Sequence, residues 1–169
     1  MRSLPDPGFA GDDGAVDPVV AAALAAYDDA PEADATEHHH AALAALQEAR
    51  VLVPVVAVLG EVEYDEQGLA HDKTSDMAAV LMRGRDGRTA LLGFTGTTSL
   101  TGWNPEARPV PVTVQQAAQA AVQDGAEALL LDVAGPVVFV VEGDDLQQLA
   151  SGHRLLRLAD GRWGWGQPV

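Results

Sequence analysis

Two apolar runs flank an Asp-Gly pair in Asp76-Met-Ala-Ala-Val-Leu-Met-Arg-Gly-Arg-Asp-Gly-Arg-Thr-Ala-Leu-Leu-Gly-Phe-Thr95, and this stretch limits the fold more than any other. Asp-Gly between apolar runs signals a hairpin, because a tight turn needs a positive φ that glycine adopts freely. Both runs are apolar at odd and even positions, which predicts a ribbon covered on both faces at the centre of a sheet. With Asp86 and Gly87 at the centre of the turn, Asp76 falls opposite Thr97 and Ala78 opposite Thr95. A loop centred one residue earlier shifts this register by two and keeps the same neighbourhood. Any site is then expected at the end away from the turn, where polar residues of both strands meet.

Around this ribbon the chain reads as a mixture of helices and strands. Residues 1–16 carry Pro, Gly and Asp without period and predict a flexible N-terminal segment. Asp17-Pro18 is an N-cap with proline in the first turn, and Val20, Ala23, Leu24 and Tyr27 follow at helical spacing. Asp34 with Glu37 resembles a capping box ahead of Leu43, Leu46 and Ala49. Val51 to Leu59 is β-branched and short; Pro54 within it cannot donate to a ladder, which predicts an edge position or a bulge. Residues Gly96 to Pro111 are too rich in Gly, Pro and Thr to be regular throughout, and Pro109 to Val112 is expected to be extended. Thr113 caps the clearest helix, with Val114, Ala117, Ala118, Ala121 and Val122 on one face. Ala128 to Val133 and Val137 to Val141 are two further strands, and Asp144 to Ala150 a short helix. The resulting class is α+β, a largely antiparallel mixed sheet of about five to six strands with helices packed against it. One domain is expected over 17–152, followed by a tail, 153–169, with a small hairpin about Asp160-Gly161 and with Trp163 and Trp165 either packed on the core, the favoured reading, or forming an exposed patch for a partner.

Composition narrows the function. The formal charge of -15 over 169 residues argues against nucleic acid and against an anionic bilayer surface, because both need clustered Lys and Arg. The absence of Cys removes disulfides and a thiol nucleophile. No apolar run approaches the roughly 20 residues that span a membrane, and the start lacks the apolar core of a signal peptide, so a cytoplasmic location is expected.

Several stretches together resemble the SseB-type domain, named for the enhanced-serine-sensitivity protein B of bacteria, in the short form of high-GC bacteria. They are Lys73-Thr-Ser-Asp-Met-Ala78, Gly87 to Thr95, Trp103-Asn-Pro-Glu-Ala-Arg-Pro-Val-Pro-Val112, Asp124 to Asp132, Ala134-Gly-Pro136 and Val141-Glu-Gly143. The likeness runs in order from about Leu43 to Gly152. Gly93 and Gly96 stand where similar sequences carry Ala and Ser, and the second domain of larger members has no room in this chain. The resemblance implies a bacterial domain of this fold and transfers no catalytic residues.

The expected register gathers Lys73, Ser75 and Asp76 beside Thr95, Gly96, Thr97, Thr98 and Ser99, next to Trp103 and Arg108. Such a cluster fits a small anion or a peptide terminus, with Lys73 and Arg108 as charges and amides near Gly96 as donors. The competing reading is structural: Asp76 and the hydroxyls cap strand ends, and Trp103 covers the sheet edge. No nucleophile elbow, P-loop or dinucleotide fingerprint is present, and Lys73 with Ser75 lacks the spacing of a Ser-x-x-Lys pair. His38, His39 and His40 point about 100° apart on a helix and do not converge on a metal. The acids from Glu61 to Asp72 do not match a calcium loop. No cofactor is expected. The function these observations favour is a non-catalytic module acting through a protein partner or homo-oligomer, with a small-ligand binder as the alternative and an enzyme behind both.

Overall fold

The computed structural model describes residues 9–59, 62–64, 70–72 and 75–167. Two helices come first. In α1, Pro18–Asp29, the Asp17 carboxylate accepts from the Val19 amide at 2.8 Å, and Pro18 sits in the first turn, where no amide is needed. In α2, Ala35–Leu46, the expected capping box is not formed: Asp34 makes no side-chain cap. Glu37 is engaged elsewhere, paired with Arg157 and accepting from Trp163 Nε1 at 2.8 Å. Val20 and Leu24 of α1, with Ala42, Leu43 and Leu46 of α2, form the buried stripes.

The chain then enters β1, Arg50–Leu59, followed by β2, Val62–Tyr64, and β3, Ala70–Asp72, which pair with each other. Next come β4, Ser75–Ala79, β5, Leu81–Arg83, and β6, Thr89–Gly93. The chain doubles back about Asp86 and Gly87 as expected, with Leu81 opposite Leu91 and Arg83 opposite Thr89. Gly87 has a φ of 83°, and its amide donates to the Gly84 carbonyl at 3.0 Å. The pairing of this ribbon changes at Val80, whose amide donates to Pro54 O at 3.3 Å while its carbonyl accepts from Leu92 N at 3.1 Å. One residue thus serves strands on opposite sides, and the ribbon bends. Beyond the bend β4 runs along β1, with Asp76 opposite Val58 and Ala78 opposite Val56. The expected pairing of Asp76 with Thr97 is therefore overturned. Val58 lies six residues along β1 from Leu52, the residue that bridges Phe94, which is about 20 Å of extended strand.

After β6 a helix of 7 residues, α3, Thr97–Trp103, precedes β7, Arg108–Thr113. β7 pairs with β1 in a sheet of order β4-β1-β7, so Pro54 lies in a central strand and not at an edge. The geometry that permits this is specific. Pro54 stands opposite Pro109, and Leu52 opposite Pro111. Leu52 exchanges both backbone bonds with Phe94, at 2.7 and 2.8 Å, on the side away from β7. Both proline-containing pairs are thus ones in which neither partner donates to the other. Pro109 and Pro111 face the free edge of β7 without an N–H, and the Thr113 amide is taken by Gln116 Oε1 at 2.9 Å. An added strand finds no donor at these positions.

α4, Val114–Gln123, opens with a reciprocal capping box between Thr113 and Gln116. It returns the chain so that β8, Ala128–Leu131, lies parallel to β6, and β9, Phe139–Glu142, then pairs antiparallel with β8. The order is β5-β6-β8-β9. α5, Gly143–Ala150, and a hairpin of β10, Arg154–Arg157, with β11, Trp163–Gly166, complete the chain. The class is α+β with mixed pairing. The strands divide into sheets of three and four joined by the Leu52–Phe94 bridge, smaller than the single sheet of five to six expected, because the bend at Val80 hands the ribbon from one to the other.

β1 alternates between two cores. Val51 and Val53 join Leu91, Leu129, Phe139 and the buried face of α4, whereas Leu52 joins Leu92, Phe94 and Leu100 on the opposite side. Trp103 packs on the smaller core; Trp163 and Trp165 pack on the larger. Among the described residues no helix is long and apolar enough to cross a membrane.

Candidate functional site

The parallel strands β6 and β8 end side by side, and the chain leaving each is polar. In an α/β arrangement ligands favour the crevice beyond such carboxyl ends. A cavity of about 610 Å³ opens there, between α1, the start of α3 and the loop after β8. Its walls are largely apolar, from Val16, Leu24, Ala25, Pro136 and Val137, and its polar side chains are Thr95, Thr98, Ser99 and Asp132.

Asp132 is the chemical centre. Its amide donates to Gly93 O at 3.0 Å and its carbonyl accepts from Gly135 N at 2.8 Å, which turns the chain sharply and holds φ at 53°. Asp and Asn tolerate this left-handed region better than most residues. The residue is only 1% exposed. One of its oxygens accepts from the Thr95 amide at 2.8 Å, the other from Thr95 Oγ1 at 2.7 Å. An ionised carboxylate has about four acceptor positions, so capacity remains for a donor from a ligand. The Ser99 hydroxyl is committed to Gly96 O at 3.0 Å.

Behind Thr95 stands Arg50. Its guanidinium donates to Thr95 O at 2.5 Å, to Ala15 O at 2.7 Å and to both oxygens of Asp12, at 2.6 and 2.9 Å. Residues 9–16, read from sequence as preceding the ordered part, thus contact it, and Thr97 N donates to Gly14 O at 2.7 Å. The hydrogen bond from Arg50 holds the Asp12 carboxyl below its ordinary value of 3.8, against partial burial and with help from the Gly14 amide. A carboxyl depressed in the folded state stabilises that state above the unfolded pKa and loses the contribution as pH falls through the lower value. The contact of residues 12–15 with Arg50 is therefore expected to weaken as pH drops below about 4. The Thr97 amide chemical shift reports it, and a shift constant down to the pH of global unfolding would contradict it.

The expected site residues separate. Thr95 lines the cavity. Thr97 opens α3, its hydroxyl against Gly14. Trp103 ends α3 with its ring 5.5 Å from that of Phe94. Arg108 begins β7 opposite Val55. Ser75 and Asp76 pair with Leu59 and Val58 at the far end of β1, and Lys73 lies outside the described residues. Asp132 and the segment before α1 are the parts sequence reasoning missed; the available signal is an acid directly after the apolar run Ala128 to Leu131 and just ahead of Gly135-Pro136. The histidines diverge, with His39 stacked on Phe139 at 4.5 Å and within 2.9 Å of Val140 O, while His40 lies towards Trp163.

No curated protein and no solved structure matches the chain. A family model described as SseB protein N-terminal domain matches residues 20–148. That span takes in most of α1, the bent ribbon, the parallel pair and most of α5, well over half of the chain, and the protein therefore belongs to the SseB family.

Proposed function

We propose that this is a non-catalytic cytoplasmic binding module whose cavity takes a largely apolar group ending in a hydrogen-bond donor. The observation that carries the reading is a cavity of ligand size with apolar walls and one buried carboxylate among its lining residues. Of the two ligands suggested by the sequence, an anion and a peptide terminus, the Asp132 charge disfavours the anion and suits an amino end. Catalysis has little to draw on, since the Thr95 and Ser99 hydroxyls are committed to neighbours, Asp132 is the only ionisable residue among the lining residues, and its carboxylate accepts from Thr95 and not from the Thr98 hydroxyl.

The test is thermal denaturation with n-alkylamines, n-alkanols and n-alkyl carboxylates of matched length. Saturating amines or alkanols are expected to raise Tm by about 3–5 °C, and carboxylates to leave it unchanged. Ala25→Trp, at an exposed position on the cavity rim, is expected to remove the shift. No rise with any compound, or a rise that survives Ala25→Trp, would falsify the reading.

A second reading, contact with a protein partner or another copy, draws on a different face. Met82, Ala90, Leu130 and Val140 are half-buried around a shallow depression of about 330 Å³ on the four-stranded sheet. Light scattering across concentration tests self-association there, with Leu130→Arg as the variant expected to abolish it.

A further inference from the structure

The segment ahead of α1 is fastened at two places of different character. Arg50, with a side chain 9% exposed, forks onto Asp12 and also holds Ala15 O, and through Thr95 O it touches the residue that binds Asp132. This joins segment and cavity through one planar group, which a flexible ammonium cannot reproduce. The second fastening is a close approach of backbones. A Cβ on Gly96 would stand 3.0 Å from Val16 N and 3.1 Å from Gly14 O, and a Cβ on Gly14 would stand 2.1 Å from Thr97 Oγ1. Gly96 has an extended φ of -161°, so its missing side chain serves the contact and not the conformation. The outcome is that Val16 becomes part of the cavity lining. The family match covers residues 20–148, so this segment precedes the matched region.

We propose that residues 9–17 form a wall of the cavity and that Arg50 is the positioning residue that holds it, a role that rests on the cavity being a binding site. Loss of the fork frees the segment from Thr95 and opens the cavity on the side of Val16, so a bound group loses contact there.

The test uses the full chain with N-phenyl-1-naphthylamine, a neutral fluorophore that carries one N–H donor and brightens in apolar surroundings. In Arg50→Met, which keeps an aliphatic stem and has no donors, the Thr97 amide is expected to exchange about tenfold faster while the Leu129 amide in β8 keeps its rate. The Kd for the fluorophore is expected to rise about three- to tenfold, since contacts on one side are lost. Asp12→Asn, a surface change that keeps the fold, is expected to move both readouts in the same direction by less, and Arg50→Lys to recover part of the loss. Unchanged Thr97 exchange in the Met and Asn variants overturns the role of Arg50. Faster exchange with unchanged fluorophore affinity overturns the wall. A wild-type chain that takes up no fluorophore removes the cavity as a binding site and the wall's function with it, while the exchange rates still decide separately whether Arg50 holds the segment.

Discussion

Asp132→Ala is expected to destabilise the fold by about 3 kcal/mol, because it strands the Thr95 amide and hydroxyl and leaves a left-handed residue without local compensation. Asp132→Asn is expected to stay within about 1 kcal/mol of the parent: its oxygen still accepts from the Thr95 amide, its nitrogen can donate to Thr95 Oγ1, and the desolvation of a buried charge disappears. Asp132→Gly should fall between the two, since glycine removes the backbone strain but not the lost hydrogen bonds. Urea denaturation monitored by tryptophan fluorescence gives the order. Among the described residues no cation hydrogen-bonds this carboxylate, so its charge contributes little that an amide would not. A buried charge that adds so little over an amide suits the binding role proposed for it. The Asn variant separates the two contributions, because it should keep the fold and lose the preference for amines. A parent and an Asn variant with the same ligand series would reduce Asp132 to a turn residue, and an Ala variant as stable as the Asn variant would remove its hold on Thr95.

The parts of this molecule legible in its sequence are those governed by neighbours along the chain. Thr113 with Gln116, Asp17 with Pro18, and Gly87 in its turn are local devices, and each forms as its spacing predicts. What escaped is governed by partners far away. Nothing between Met77 and Met82 marks a bend, since every residue there is apolar and the change of partner at Val80 depends on where β1 and β6 converge. Pro54 reads as an edge residue until Pro109 is known to stand opposite it. Glu37 has the right spacing for a capping box, yet Arg157 and Trp163 draw it away. The Thr-rich start of α3 has weak helix propensity and folds because Leu100 is buried beneath it. The cavity is half legible for the same reason. Thr95 and Ser99 lie together after β6, but Asp132 arrives from a parallel strand, and hydrophobic patterning carries no information about which strand lies beside which.

Phe94→Ala is expected to destabilise the fold by about 3–5 kcal/mol, the largest single effect in this set, and to do so in one cooperative step. Phe94 is 0% exposed, its backbone bridges the two main sheets through Leu52, and its ring lies against Trp103. The smaller core has four buried members, Leu52, Leu92, Phe94 and Leu100, so removing its largest side chain leaves a void that the others cannot fill. Phe94→Leu keeps most of the volume and should lose about half as much. The backbone hydrogen bonds to Leu52 survive both changes, which makes the comparison one of packing alone. Phe94 also precedes Thr95 directly, so movement at the seam is transmitted to the floor of the cavity. Faster exchange of the Thr95 amide in the Ala variant, before global unfolding, is the expected sign. If unfolding became biphasic, with Trp103 reporting a separate early transition, the three-stranded sheet and α3 would be an independent unit and the seam no more than a contact. A single transition shifted to lower urea would mean that one side chain couples both cores, and that the cavity is as stable as the junction on which it is built.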